Sequence, residues 1–312
     1  MKLFRRAAAL VAALSLSLAM ALPALALGVE AGSPDWACAP GDAGHGAAAK
    51  GKVTRDGRVS EKALAQEAKA LPAAAKGRAP AGFSVTVPVR WHVVTDGTTG
   101  AVTDSQIATQ ISVLNGGFSG SAGGASGVST GFTFQLAGVT RTDNATWYAS
   151  RSAGAEHAMK QALKTGGDNV LNVYSTSGGA YLGWAYLPEI TDTAQAYLDG
   201  IVIDWRTMPG VSTAYAGVAD EGDTLVHEAG HWLNLEHTFF GQCNKNGDFV
   251  ADTPPQKFAS SGCPIGKDTC PAPGLDPIHN YMDYSDDDCM NQFTNGQTQR
   301  MRDSWLLWRA PA

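Results

Sequence analysis

The sequence predicts an α/β domain in which a mixed sheet carries one functional helix, followed by an irregular, cysteine-linked segment. Three observations lead there. Short β-rich runs alternate with helical runs between Phe83 and Leu233. The helical run His227-Glu228-Ala229-Gly230-His231 closes that series. Four cysteines, Cys243, Cys263, Cys270 and Cys289, then fall in or beside a stretch from Gly241 to Pro277 that is dense in Gly, Pro, Asn and Asp.

At the N-terminus, Lys2, Arg5 and Arg6 precede an apolar run from Ala7 to Leu22, and Ala24-Leu25-Ala26 fits a small-x-small cleavage site. Residues 1–26 are therefore expected to be a signal peptide. The run is short and broken by Pro23, which argues against a retained anchor. Residues 27–78 hold 8 basic and 6 acidic residues, a charge of +2, whereas residues 79–312 hold 12 basic and 23 acidic, a charge of −11. A basic leader ahead of an acidic body suggests a pro-segment held partly by charge, with an inert linker as the alternative. Within it, Ser60–Leu71 predicts one helix with Ser60 as N-cap. Residues 79–312 are long enough for one substantial core, and their acidity argues against a nucleic-acid partner. The expected product is a secreted monomer with no membrane anchor once the signal is removed.

Along the body, Phe83–Val94 alternates and reads as a strand, with Pro88 favouring an edge position or a bulge. Thr103-Asp104-Ser105-Gln106 is a capping box that opens a helix to about Phe118. Gly116–Gly131 reads as loop and Phe132–Thr140 as strand. A helix is expected over Ala153–Lys164, closed by Gly166-Gly167. Asn169–Tyr174 and Gly200–Trp205 read as short buried strands, Asp223–Leu233 as the histidine helix, and Gly296–Trp308 as a last helix.

The histidine helix carries the chemistry. Positions i and i+4 share one helix face, so His227 and His231 can present two imidazoles to one Zn²⁺. His237 cannot reach that point by helical periodicity, so the chain must turn after about Leu233 and fold back. Asn234 stands where the turn is needed, and Asn tolerates a left-handed backbone. Three neutral histidines leave a fourth position open for water, the arrangement of a catalytic zinc. Glu228, beside the first ligand, can reach that water as general base. The four clustered cysteines read as two disulfides whose pairing three arrangements would satisfy. Cys38 is left over, either an inert thiol or a thiolate ligand to the zinc in a latent precursor.

With the extended zinc signature, Asn280-Tyr281-Met282-Asp283-Tyr284 resembles the methionine turn of metzincin metallopeptidases. Within that group, HEAGHWLNLEHTF, GDFVADTPPQ and NYMDYSDDDCMNQFTNGQTQRM are similar to the pappalysin family, including its ulilysin-like members and the secreted fungal extracellular metalloproteases. LNVY at Leu171, YLGWAYLP at Tyr181 and DGIVIDW at Asp199 share the likeness, which spans Phe83 to Trp308. One departure is Asn234, where the family's zinc motif carries glycine.

The resemblance implies a metzincin-type domain with a mixed five-stranded sheet, an active-site helix and an irregular, disulfide-linked subdomain after His237. It implies the pairings Cys243–Cys270 and Cys263–Cys289. It implies Met282 beneath the zinc ligands, Tyr284 at the reacting centre, and protein or peptide substrates. It also implies structural calcium in the Gly247–Thr253 loop, with Asp248, Val250 and Thr253 as ligands; oxygen donors in a tight loop suit a hard cation. Asp287 matches an aspartate that favours Arg or Lys after the cut bond, with a solvated acidic turn as the alternative. The expected function is that of a secreted zinc endopeptidase made as a zymogen. A zinc hydrolase of non-protein amides and a binding module with a vestigial zinc site are the alternatives.

Overall fold

The computed structural model describes residues 76–150 and 152–311. The signal peptide, the pro-segment up to Ala75, the Ser60–Leu71 helix and Cys38 lie outside the described residues. The sheet has five strands in the order β2-β1-β3-β5-β4, with β1 Val85–Thr95, β2 Phe132–Asp143, β3 Leu171–Thr176, β4 Gly183–Ala185 and β5 Ile201–Asp204. The β1–β2, β1–β3 and β3–β5 pairs are parallel, and β4 runs antiparallel to β5 at the edge. The sheet is therefore mixed, as expected.

Pro88 does not mark an edge. β1 is an interior strand, paired with β2 along its length and with β3 from Val89 to Val93. Proline is accommodated because the β3 pairing begins one residue later, and the β2 register shifts between Val89 and Arg90.

Alternating residues of the strands feed two cores. Val87, Val89, Trp91 and Val93 of β1 and Ile201 and Ile203 of β5 pack with helices α1 (Asp104–Ser119) and α4 (Asp223–Trp232). Val94, Tyr174 and Val202 face the other way and pack with Met159 of α3 (Ala153–Leu163). A short α2 (Ala145–Ala149), with Asn144 capping it, escaped the sequence reading because it is too short for periodicity to register, and the three-residue strand β4 was signalled only by the family likeness of YLGWAYLP.

α1 begins at the expected capping box: Thr103 Oγ1 accepts from Gln106 N–H, and the Gln106 side chain accepts from Thr103 N–H at 2.7 Å. It runs through Gly116 and Gly117, which sequence composition assigns to loop. A Cβ on Gly117 would lie 2.8 Å from Val226 Cγ1 and 3.3 Å from the Tyr281 ring, so this glycine serves the close approach of α1 to α4. α3 ends with Lys164 in extended conformation rather than at a glycine cap; Gly166 turns left-handed only afterwards. The last helix, α5 (Asn295–Ser304), continues as a π-helical turn over Trp305–Arg309.

Among the described residues, no helix or strand occurs between α4 and α5. Two disulfides, Cys243–Cys270 and Cys263–Cys289, cross-link this segment in the pairing the resemblance implied, over separations of 27 and 26 residues. By loop-closure entropy each contributes about 3–4 kcal/mol. No helix among the described residues is long and apolar enough to cross a membrane.

The C-terminal turn is held by a buried ion pair. Arg309 Nη2 bonds Asp199 Oδ1 at 3.0 Å, its Nε donates to Trp232 O at 2.9 Å, and its guanidinium stacks 3.7 Å from the Trp232 ring. Both side chains are fully buried. Arg309→Met should cost about 3–5 kcal/mol in chemical denaturation, because it strands the Asp199 charge, and adding Asp199→Leu should recover much of that loss. No recovery in the double variant would show that Arg309 acts through packing alone.

Candidate metal centre

Every residue of α4 is buried, and its N-terminal half presents His227 and Glu228 toward a cleft lined by Asp223, Thr224, His227, Glu228 and Met290. The helix ends at Trp232, and Asn234 adopts φ 79, the left-handed turn the sequence called for. Two groups of Arg300, on α5, hold that turn: Nε donates to Asn234 O at 2.6 Å and Nη2 to Asn234 Oδ1 at 2.8 Å. Asparagine in place of glycine therefore brings its own anchor.

The turn returns His237 to the helix. His231 Nε2 lies 3.2 Å from His227 Nε2 and 3.1 Å from His237 Nε2. Nitrogens held at zinc-bond length in a tetrahedral site would stand about 3.3–3.4 Å apart, so the triad fits that ion. The outer nitrogens support the fit. His227 Nδ1–H points to Tyr281 O at 2.5 Å and His231 Nδ1–H to Leu235 O at 2.7 Å, which leaves both Nε2 lone pairs facing the common point.

The methionine turn lies against the same helix. Met282 is fully buried, and a Cβ on Gly230 would meet its sulfur at 2.4 Å. Asn280 sets the turn: its Oδ1 accepts from Met282 N at 3.0 Å, while its amide pairs reciprocally with Gln297 of α5 at 2.7 and 2.9 Å. Tyr284 hydroxyl stands 3.3 Å from His237 Nε2.

With this geometry in view, comparison with known proteins is decisive. Residues 210–305 match the sequence model of the peptidase family described as pregnancy-associated plasma protein-A. An extracellular metalloprotease of Pyricularia oryzae is 44% identical over 257 residues, covering 78% of this chain and 86% of that one. The extracellular metalloprotease of Arthroderma benhamiae is 43% identical over 233 residues, covering 73% and 74%.

The chain belongs to the pappalysin family of metallopeptidases.

Among solved structures, a Tannerella forsythia promirolysin variant superposes with a TM-score of 0.65 at 29% identity, covering 78% of this chain and 86% of that one. Mature mirolysin in complex with a cleaved peptide superposes with a TM-score of 0.60 at 32% identity, covering 72% and 92%. The metzincin-type fold and the metallopeptidase class are thereby established for this pappalysin.

Other site residues fall around this centre. Asp287 is 3% exposed, and its Oδ2 accepts from Glu221 N–H at 3.0 Å, just ahead of α4. Burial raises the Tyr281 phenol, and the Asp223 and Asp287 carboxylates raise it further. The neighbours of Asp287 differ from it: Asp286 is half-buried and Asp288 is exposed. Asp248 is 3% exposed, with Oδ1 accepting from Val250 N–H at 3.1 Å, in a loop where Phe249 takes φ 63.

Sequence reasoning missed Glu189 and Glu236. Burial pushes Glu189 and Asp248 up to about 7, and the Glu236 charge adds to both. The Glu236 carboxylate, one residue before His237, thus acts on both buried acids. Glu236 directly precedes His237, a signal that was available; Glu189 follows a strand more than 40 residues upstream of it and had none. Gly183 of β4 was missed as well: a Cβ there would stand 3.0 Å from Glu228 Cγ, so the edge strand lies hard against the glutamate.

Gly230→Ala should disturb the centre by forcing Met282 aside, at about 1–3 kcal/mol in thermal denaturation with reduced zinc content. The same substitution in a Met282→Ala background should cost less, since the colliding sulfur is gone. Equal costs in both backgrounds would refute the contact as the cause.

Proposed function

We propose that the chain is a secreted zinc-dependent endopeptidase, made as a zymogen, that prefers Arg or Lys after the cut bond. The observation that carries this reading is the fully buried Glu228, which lines a cleft with His227, the first of three imidazoles whose Nε2 atoms converge. His227, His231 and His237 would hold the zinc, which when bound polarises water and the substrate carbonyl. Glu228, next to His227 on the helix, removes a proton from the attacking water. It then hands that proton to the departing amine. The Tyr284 hydroxyl, close to His237, donates to the oxygen on which negative charge develops. Burial of α4 keeps these groups in place before substrate arrives. Cys38 is the proposed lock of the precursor, as a thiolate in place of the catalytic water.

Glu228→Ala should fold and retain zinc, yet lose peptide cleavage by at least about a hundredfold, in line with the share of a general acid–base group. The paired measurements are metal content and turnover of an unfolded protein substrate. Retained turnover would remove Glu228 from the mechanism.

For specificity, the support is two buried carboxylates, Asp223, which lines the cleft, and Asp287, which accepts from Glu221 N–H two residues before Asp223. A guanidinium entering such a site gains charge-assisted bonds. A cleavage map read by mass spectrometry should show cuts on the N-terminal side of Arg or Lys. Asp287→Ala should lose that preference about tenfold or more, since a hydrogen bond to a charged group is worth roughly 1.5–3 kcal/mol. A map dominated by apolar residues at that position would refute the basic pocket.

We further propose calcium at Asp248, Val250 and Thr253, with Glu189 and Glu236 completing the acidic surround. Without a cation, Glu189 shifts from 4.5 up to about 7 on folding. A raised folded value means stability that is present at low pH and lost as pH rises through it. The calcium-stripped enzyme should therefore melt at lower temperature as pH climbs from about 4.5 to about 7, and saturating calcium should abolish that decline. Identical melting profiles with and without calcium would count against the site.

A further inference from the structure

Asp303 lies in the last turn of α5 and is 5% exposed. A carboxylate buried there needs hydrogen-bond donors to compensate its charge. The chain entering the domain supplies them. Gly77 N–H donates to Asp303 Oδ2 at 2.7 Å, and Arg78 and Ala79 N–H donate to Oδ1, each at 3.1 Å. Gln299 Nε2 adds a bond of 2.9 Å. Gly77 takes φ 72, which lets successive N–H groups turn inward as an anion nest. Among the described residues no basic side chain pairs with Asp303. Lys76, Gly77 and Arg78 are themselves exposed. They stand at the boundary where a basic leader gives way to the acidic body.

We propose that Asp303 is the receptor for the α-ammonium group of the mature chain, created by a cut at Lys76–Gly77 or Gly77–Arg78. The proposal rests on reading the basic leader as a pro-segment, and it moves the end of that segment back from Arg78 to Lys76 or Gly77. In the cut, water adds across the peptide C–N bond. The carbonyl carbon of the departing segment takes the hydroxyl and becomes a carboxylate. The nitrogen of Gly77 or Arg78 becomes an amine and is protonated at neutral pH. A full cation then replaces a partial charge on an atom already within hydrogen-bonding distance, and charge-assisted bonds are roughly twice as strong as neutral ones. The consequence reaches the centre, because α5 also carries Gln297, which holds Asn280 of the methionine turn, and Arg300, which holds Asn234. Loss of the pro-segment is thus registered on the helix that anchors both turns of the site.

The test is to let the full chain mature, read its N-terminus by mass spectrometry, and follow thermal unfolding from about pH 6 to about pH 10. Trypsin, which cuts after Lys76, supplies the Gly77 end if the chain does not process itself, so the result does not depend on the peptidase reading. The expected N-terminus is Gly77 or Arg78. A free α-amine titrates near 7.7–8.0, and one paired with Asp303 titrates higher, so its stabilisation is present at neutral pH and lost as pH rises through the paired value. The mature chain should therefore show an alkaline fall in melting temperature of about 2–4 °C. That fall should be missing from the uncut Glu228→Ala precursor and from mature Asp303→Asn, whose one amide oxygen can still accept from Arg78 and Ala79 N–H but carries no charge to pair with an ammonium group. Should Asp303→Asn fail to fold, selective acetylation of the mature α-amine removes the same charge and should abolish the same fall. A mature N-terminus before Gly77 or beyond Arg78 overturns the proposal. So does one alkaline profile shared by the precursor, the mature chain and its charge-removed form.

Discussion

The reversal of the chain at Asn234 is the constraint on which the rest of the structure depends. A helix can offer two imidazoles one turn apart but never a third six residues on. The left-handed residue at φ 79 solves this by ending α4 and returning His237 toward His231. Such a turn is strained for a residue with a side chain, and Arg300 offsets the strain by bonding both the carbonyl and the side-chain oxygen of Asn234. Arg300 sits on α5, so the last helix must come back across the molecule for the turn to hold. The long segment between the two helices lacks regular structure and has little apolar surface of its own. Its disulfides, and Asp283 accepting from Gln256, Ser260 and Tyr284, compensate.

The functional helix is immobilised from three sides. α1 meets it where Gly117 faces Val226, β4 where Gly183 faces Glu228, and the methionine turn where Gly230 faces Met282. At each contact the absent Cβ lets the facing side chain come closer than a larger residue would permit. The dense packing lowers the local dielectric around Glu228 and the histidines, which strengthens the fixed hydrogen bonds of His227 and His231 to backbone carbonyls. Preorganisation here comes from packing plus those two bonds.

How much could be read in advance differs by residue. The capping box at Thr103, the helix from Asp223, the triad, the Asn234 turn and the two disulfides were legible, the disulfide pairing through family resemblance. Each is local, or repeats a pattern whose spacing is dictated by one chemical task. Of the two readings of Pro88, the bulge holds and the edge does not, because tolerance for proline depends on where the neighbouring strand begins to pair. Gly116 and Gly117 misled because glycine can mean a loop or a close helix contact, and only the partner surface decides. Glu189 was invisible as a neighbour of Glu236, being brought there by folding across more than 40 residues.

The sequence by itself determined the metal-binding chemistry, the class of domain and the need for a turn after Leu233, because these follow from residue type and helical period. The tertiary structure alone decided which side chains guard that turn, which aspartate of the Asp286–Asp288 run is buried by the cleft, and that the chain entering the domain meets Asp303. Those outcomes depend on which distant surfaces come within hydrogen-bonding distance, and sequence spacing carries no measure of that.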